Sequence, residues 1–102
     1  FDTLYYSGGG AVSDEWAQIM ADVTGRPILQ LGDARQANTR GAAFLAFTRL
    51  GLVGESDIDA FCPIRRRHEP RPEAQRIYDR LFEQVVHAYD KTEPIYDALN
   101  QR

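Results

Sequence analysis

Tyr5-Tyr6-Ser7-Gly8-Gly9-Gly10-Ala11-Val12-Ser13-Asp14-Glu15-Trp16 carries an apolar run through three consecutive glycines and straight into a helical pattern. Glycine has no Cβ, so such a turn can take positive φ and let a ligand lie against bare backbone. The helix beyond it leaves its first N–H groups unpaired, with about half a positive charge at that end. The combination favours a phosphate or another anion. An ordinary tight strand-to-helix turn reads the same way, and both readings stand on these residues alone.

Upstream, residues 1–7 have strand composition, and Leu4, Tyr5 and Tyr6 form the unbroken apolar run of a strand buried on both faces. Downstream, a helix is predicted over residues 14–24. Ser13 is its N-cap, and Asp14 and Glu15 place acids in its first turn. Trp16, Ile19, Met20 and Val23 form its apolar stripe, and Gly25 ends it. Pro27-Ile28-Leu29-Gln30-Leu31 reads as a second strand. Two apolar strands joined by one helix make a βαβ unit, parallel and right-handed.

A polar loop from Gly32 to Asn38 leads to Thr39, a candidate cap for a second helix reaching about Leu50. Gly41, Ala42, Ala43 and Ala46 leave one side of that helix nearly bare, which suits close packing. Residues 52–71 read as a long irregular connection holding Pro63, Pro70 and the run Arg65-Arg66-Arg67-His68. Those arginines suit a phosphate, but beside Glu69 in an irregular loop they more often form a solvated surface or an ion-pair strap. Pro72 and Glu73 open a last helix over residues 72–89, with Ile77, Tyr78, Leu81, Phe82, Val85 and Tyr89 on one broad face. Pro94 then kinks it or restarts it toward Leu99. The fold class is α/β. Residues 1–62 form a strand–helix–strand–helix part, and residues 63–102 an extended connection and closing helices of the same domain.

The chain has 102 residues, enough for one small domain. A net charge of −3 gives no footing for a nucleic-acid partner. No apolar run approaches the ~18 residues that would span a membrane. Cys62 is the single cysteine, so an internal disulfide is excluded and a reducing, cytoplasmic setting is expected. It reads as a small buried or half-buried residue. His68 and His87 stand far apart with no cysteine pair beside them, so no metal site is predicted and both read as surface or packing residues. There is no Walker A sequence and no serine triad. Phe1 begins a strand with no lead-in, as expected of a piece of a longer chain.

Two other classes compete. Gly8-x-Gly10 is an imperfect dinucleotide fingerprint in which Ser13 replaces the third glycine, and Asp33 follows the second strand near the place of a ribose-binding acid. A non-catalytic module would instead use the apolar face of the last helix as a partner surface.

Three blocks act jointly: residues 7–16 quoted above, Gln18-Ile-Met-Ala-Asp-Val-Thr-Gly-Arg-Pro27, and Thr39-Arg-Gly-Ala-Ala-Phe-Leu-Ala46. In order and spacing they resemble the C-terminal lobe of an FGGY-family carbohydrate kinase, with the xylulokinase-like branch nearest. The tail from Pro72 through Tyr78-Asp79 to Tyr96 is similar to that family's closing helices. The resemblance implies the actin/hexokinase-like ATPase fold, with two lobes of RNase H-like topology and ATP in the cleft. It implies Mg·ATP as cofactor, held mainly by residues elsewhere, and a sugar or polyol acceptor, a xylulose-like ketose favoured, bound mainly by the other lobe. The nucleotide-binding residues it implies are Gly8, Gly9, Gly10, Ala11 and Asp14. Gly9, Gly10 and Ala11 would border the α-phosphate, and Asp14 would sit near the nucleoside. The catalytic base is expected in the N-terminal lobe, since Asp22, Asp33, Asp57 and Asp59 lie in no matching motif. ATP or ADP and the acceptor are the expected partners, a second copy of the chain being the one further option. On the kinase reading the chain has no specific affinity for NAD. Calorimetry that returned a micromolar constant for NAD, lost in Asp33→Ala, would decide for the dinucleotide fold.

Overall fold

The computed structural model describes residues 1–100. Strand β1 (Leu4–Tyr6) leads through a 3-10 turn (Gly9–Val12) into α1 (Asp14–Thr24) and back to strand β2 (Ile28–Leu31). A second 3-10 turn (Ala34–Gln36) enters α2 (Ala37–Arg49). After the short helix α3 (Ile58–Phe61) come strand β3 (Ile64–His68) and the long helix α4 (Pro72–Asn100). The sheet order is β1-β2-β3. As the alternation of periods predicts, β1 and β2 are parallel, with Leu4 opposite Ile28 and Tyr6 opposite Gln30.

The segment expected to be an irregular connection supplies β3, antiparallel to β2, with His68 opposite Ile28 and Arg66 opposite Gln30. Ile64 is its one aliphatic residue, so no apolar alternation marks it as a strand. Backbone pairing to β2 makes it one. The register passes from Gln30–Arg66 to Leu31–Ile64, leaving Arg65 as the extra residue of a bulge.

Two small apolar clusters hold the sheet to its coverings. Ala17, Ala21 and Ile28 pack together with Leu4, Tyr6 and Met20 around them. Ala11, Leu31 and Ala34 form the second cluster, against Tyr6, Ala37 and Cys62. The first corrects the expected stripe of α1. Its buried face is Ala17 and Ala21, whereas Trp16 remains 57% exposed. Methyl-sized side chains let the helix axis come close to a narrow sheet, and the larger residues flank the contact. Burial of β1 on both faces is also not found. Leu4 and Tyr6 face α1, while Tyr5 points the other way and is 65% exposed.

Two further expectations change. Helix α2 begins at Ala37 rather than Thr39, and Gly41, Ala42 and Ala46 are exposed rather than closely packed. α4 runs unbroken through Pro94 to Asn100. Its half-buried residues near the start are Ala74, Gln75 and Tyr78, and Ile77, Leu81, Phe82, Val85 and Tyr89 are exposed. Cys62 is half-buried, as read from the sequence. No helix among the described residues is long and apolar enough to cross a membrane.

Charge fixes where α4 begins. Asp22 on α1 has no exposed surface, and its Oδ1 accepts from the Arg71 backbone N–H (2.8 Å) and Gln18 Nε2 (3.0 Å). Its Oδ2 accepts from Arg71 Nη2 (2.6 Å) and Nε (3.1 Å). Burial raises the Asp22 pKa, but the Arg71 and Gln18 hydrogen bonds and the Arg71 charge outweigh it, so the carboxyl lies below its ordinary range. A folded-state pKa below the unfolded one adds stability above the unfolded value, and that stability is lost as pH falls through the folded one. Asp22→Asn is expected to lower stability by about 2 kcal/mol near neutral pH, the scale of a charge-assisted hydrogen bond. Urea unfolding from about pH 5 to about pH 2 should show the gap between wild type and variant closing as Asp22 takes up its proton.

Candidate functional site

The glycine turn stands at the carboxyl ends of the parallel strands β1 and β2, the edge of an open α/β sheet where ligands collect. Gly8 takes φ 88°, a conformation only glycine adopts freely, and its N–H donates to the Ala34 carbonyl (2.9 Å). Ala11 N–H then bonds back to Gly8 O (3.2 Å) and Ser13 N–H to Gly10 O (3.2 Å), closing the 3-10 turn. Among the described residues, the N–H groups of Gly9 and Gly10 have no protein acceptor. Ser13 turns the chain into α1, its Oγ accepting from Trp16 N–H (3.2 Å), as its predicted capping role requires.

Each glycine has a different reason to be there. A Cβ on Gly10 would come 2.5 Å from Tyr6 Oη, so packing within the chain accounts for that glycine. A Cβ on Gly9 would meet nothing within 4 Å, and Gly9 is not among the glycines with positive φ. Neither its conformation nor its neighbours require glycine. Ala11 is buried, so only its backbone reaches the turn's surface.

A cleft of about 310 Å³ opens beside the turn, with Ala11, Val12, Asp33, Ala34 and Arg65 in its walls. Asp33 sits in the left-handed region (φ 46°), and its carbonyl accepts from Arg40 Nη1 (3.1 Å). Arg40 also donates to Gly32 O (2.7 Å) and Phe61 O (2.9 Å), so one guanidinium sets the loop after β2 against α2 and α3.

Asp14 lies on the other side of the turn with its carboxylate engaged. Oδ1 accepts from Gln30 Nε2 (3.0 Å) and pairs with Arg65 Nη2 (3.2 Å), and Oδ2 pairs with Arg66 Nη1 (3.2 Å). The Gln30 hydrogen bond is the main reason its pKa is lowered, with both arginines adding to it and burial opposing. The bulge at Arg65 is what turns two consecutive arginines toward one carboxylate. Of the readings of the arginine run, the ion-pair strap is the one formed: Arg65 and Arg66 on Asp14, and Arg67 on Glu69.

Gln30 was not singled out in the sequence, and His68 was read there only as a surface or packing residue. Gln30 has no exposed surface, and His68 is 4% exposed. Gln30 Nε2 donates to Ala11 O (2.9 Å) as well as to Asp14, two groups that can only accept, which fixes the amide's orientation. His68 Nε2 lies 3.1 Å from Gln30 Oε1, so that ring nitrogen carries the proton. Burial lowers the His68 pKa, Arg66 and Arg65 lower it further, and Asp14 opposes them. The one signal in the sequence is a lone amide inside an otherwise apolar strand. No group of three or more metal-ligating side chains exists among the described residues.

Comparison with known proteins gives this geometry a family. The structure superposes on xylulose kinase from Lactobacillus acidophilus with a TM-score of 0.84 at 26% identity, covering 97% of this chain and 20% of that one. The fold is therefore that of the actin/hexokinase-like ATPases. The family model for the C-terminal domain of the FGGY family of carbohydrate kinases matches residues 1–50. An autoinducer-2 kinase of Enterobacter sp. (strain 638) is 33% identical over 92 residues, 86% of this chain and 17% of that protein. A glycerol kinase of Citrifermentans bemidjiense is 37% identical over 73 residues, 72% of this chain and 14% of that protein. The chain belongs to the FGGY family of carbohydrate kinases and corresponds to part of its C-terminal domain. It spans about a sixth of the curated relatives' length.

The Gly10–Tyr6 contact yields a direct test. Gly10→Ala is expected to cost about 1–2 kcal/mol through overpacking. Adding Tyr6→Phe, which removes the hydroxyl but keeps the ring, should recover most of that loss. Thermal melting of the single and double variants measures it, and an additive result would show that the hydroxyl is not the obstacle.

Proposed function

We propose that this chain forms part of the nucleotide-binding lobe of an ATP-dependent carbohydrate kinase, which transfers the γ-phosphoryl group of Mg·ATP to a hydroxyl of a sugar or polyol. The observation that carries this reading is Gly9. Nothing within the chain requires glycine there, and the space beside it adjoins two N–H groups without a protein acceptor. Bare backbone with free N–H groups suits an oxyanion of a nucleotide phosphate. Gly8 supplies the positive φ that starts the turn, Gly9 and Gly10 border the α-phosphate, and Ala11 anchors the turn in the core.

ATP supplies the phosphoryl group, and Mg²⁺ is held mainly by groups outside this chain. What the chain does is position and exclude: it offers N–H groups to the phosphates and keeps side chains out of their space. Phosphoryl transfer depends on such positioning together with a base. Asp22 cannot be that base, since it is buried and bonded to Arg71. The base is assigned to the N-terminal lobe, and the chain alone is expected to be inactive. Asp14 flanks the nucleoside position. With both oxygens engaged by Gln30, Arg65 and Arg66, it braces the turn more than it reads the base. The relatives are named for autoinducer-2, glycerol and xylulose, three different acceptors, so the class proposed is a sugar or polyol. The xylulose kinase likeness supports a ketose as the narrower choice. A cytoplasmic location, where ATP is available, completes the reading.

The test uses the full-length protein with a panel of ketoses and polyols, following ATP consumption. Gly9→Val is expected to raise the KM for ATP about tenfold, equivalent to about 1.4 kcal/mol. The KM for the acceptor should change less than about twofold, and the melting temperature should hold, since a Cβ at that position has open space around it. A folded Gly9→Val enzyme with unchanged ATP kinetics would remove the turn from the nucleotide site.

A further inference from the structure

The geometry points to Gln30 as the positioning residue of the glycine turn: its buried side-chain amide braces the corner between the turn and α1, and so sets how tightly nucleotide binds. The inference rests on the turn being the phosphate site. Three facts carry it. First, the two N–H groups of Gln30 grip both sides of one corner, the Ala11 carbonyl before it (2.9 Å) and the Asp14 carboxylate after it (3.0 Å). Between them the chain changes from the 3-10 turn, through extended backbone at Ser13 (φ −93°, ψ 127°), to α-helix. The direction of the Gly9 and Gly10 N–H groups relative to α1 depends on that corner.

Second, the amide cannot rotate without loss. Its Oε1 takes the His68 Nε2–H (3.1 Å), and a flip would turn oxygen toward two acceptors and nitrogen toward a donor. His68 is itself held by the β2–β3 ladder opposite Ile28. The brace therefore runs from the far strand of the sheet to the turn, buried from His68 through Gln30 to Ala11 and part-buried at Asp14.

Third, packing alone does not require glutamine. Ile28, two residues earlier on the same face of β2, packs against Ala17 and Ala21 as an ordinary aliphatic residue. An aliphatic residue at position 30 would fill the same face but leave the Ala11 carbonyl without its partner. Buried networks of this kind, fully satisfied, specify one geometry.

The experiment compares full-length wild type with Gln30→Met, Gln30→Glu and Gly9→Val. Gln30→Met keeps the length and removes the amide, whereas Gln30→Glu keeps the shape and the acceptor toward His68. ADP affinity is read by calorimetry, KM for ATP and for the acceptor by kinetics, and folding by thermal melting. Both Gln30 variants are expected to weaken ADP binding about fivefold or more and to raise the ATP KM, with the acceptor KM within about twofold. A folded Gln30→Met protein with wild-type ADP affinity would overturn the inference. If Gly9→Val weakens ADP binding but the Gln30 variants do not, the phosphate site stands and the brace falls. If Gly9→Val has no effect either, the phosphate site itself fails. Should neither Gln30 variant fold, wild-type protein carries the test. On titration with ADP, the side-chain amide resonances of Gln30 are expected to shift while those of Gln75 on α4 do not, and a Gln30 pair that stays fixed overturns the inference.

Discussion

Strand β2 is four residues long, and β1, β3 and α1 all take their positions from it. Among the described residues it is the only strand paired on both sides, parallel to β1 and antiparallel to β3. Its α1-facing residues alternate in chemistry. Ile28 closes an apolar contact with two alanines, and Gln30 closes a polar one with the turn, the helix start and the far strand. The same short ladder thus meets α1 through an apolar contact at Ala17 and Ala21 and a polar one at the helix start, while Asp22 ties the helix to Arg71. The apolar contact is undirected, because methyl contacts are individually weak and have no preferred orientation. The polar contact is directed, because its donors and acceptors are matched one to one.

That division suits a site that meets charge. Apolar packing would hold the turn near the sheet but would not orient its peptide planes. Three charged side chains complete the orientation from outside, Asp14 drawing Arg65 and Arg66 of the bulge across the first turn of α1. These pairs are partly solvated, so each contributes little to stability. Their importance is geometric. They close the corner from the solvent side while Gln30 closes it from within.

The β1–α1–β2 unit was legible because each of its parts announces itself locally. The glycines mark the turn, Ser13 and Gly25 mark the helix ends, and Ile28 to Leu31 is short and apolar. The family was legible from three blocks that no periodicity argument would have joined. What stayed hidden were interactions between residues far apart in the chain. β3 has the composition of a loop, and its strand character comes from β2 alone. The buried face of α1 was misread because alanine counts for little in an apolar stripe while deciding how near a helix can come. Asp14 was read as a first-turn acid and a nucleoside neighbour, since nothing in the sequence placed Arg65, Arg66 and Gln30 around it.

The joint between Asp22 and Arg71 has a mechanical side. It grips the residue just before α4, which then runs 29 residues to Asn100. At 1.5 Å per residue such a helix is a rod of about 43 Å, and a tilt of about 10° at its root swings its tip by about 7 Å. Angular error at the root is multiplied along the rod, so the aim of the distal turns is only as true as the bearing that seats the first one. A guanidinium and a backbone amide on one sealed carboxylate hold the root of that lever by three hydrogen bonds.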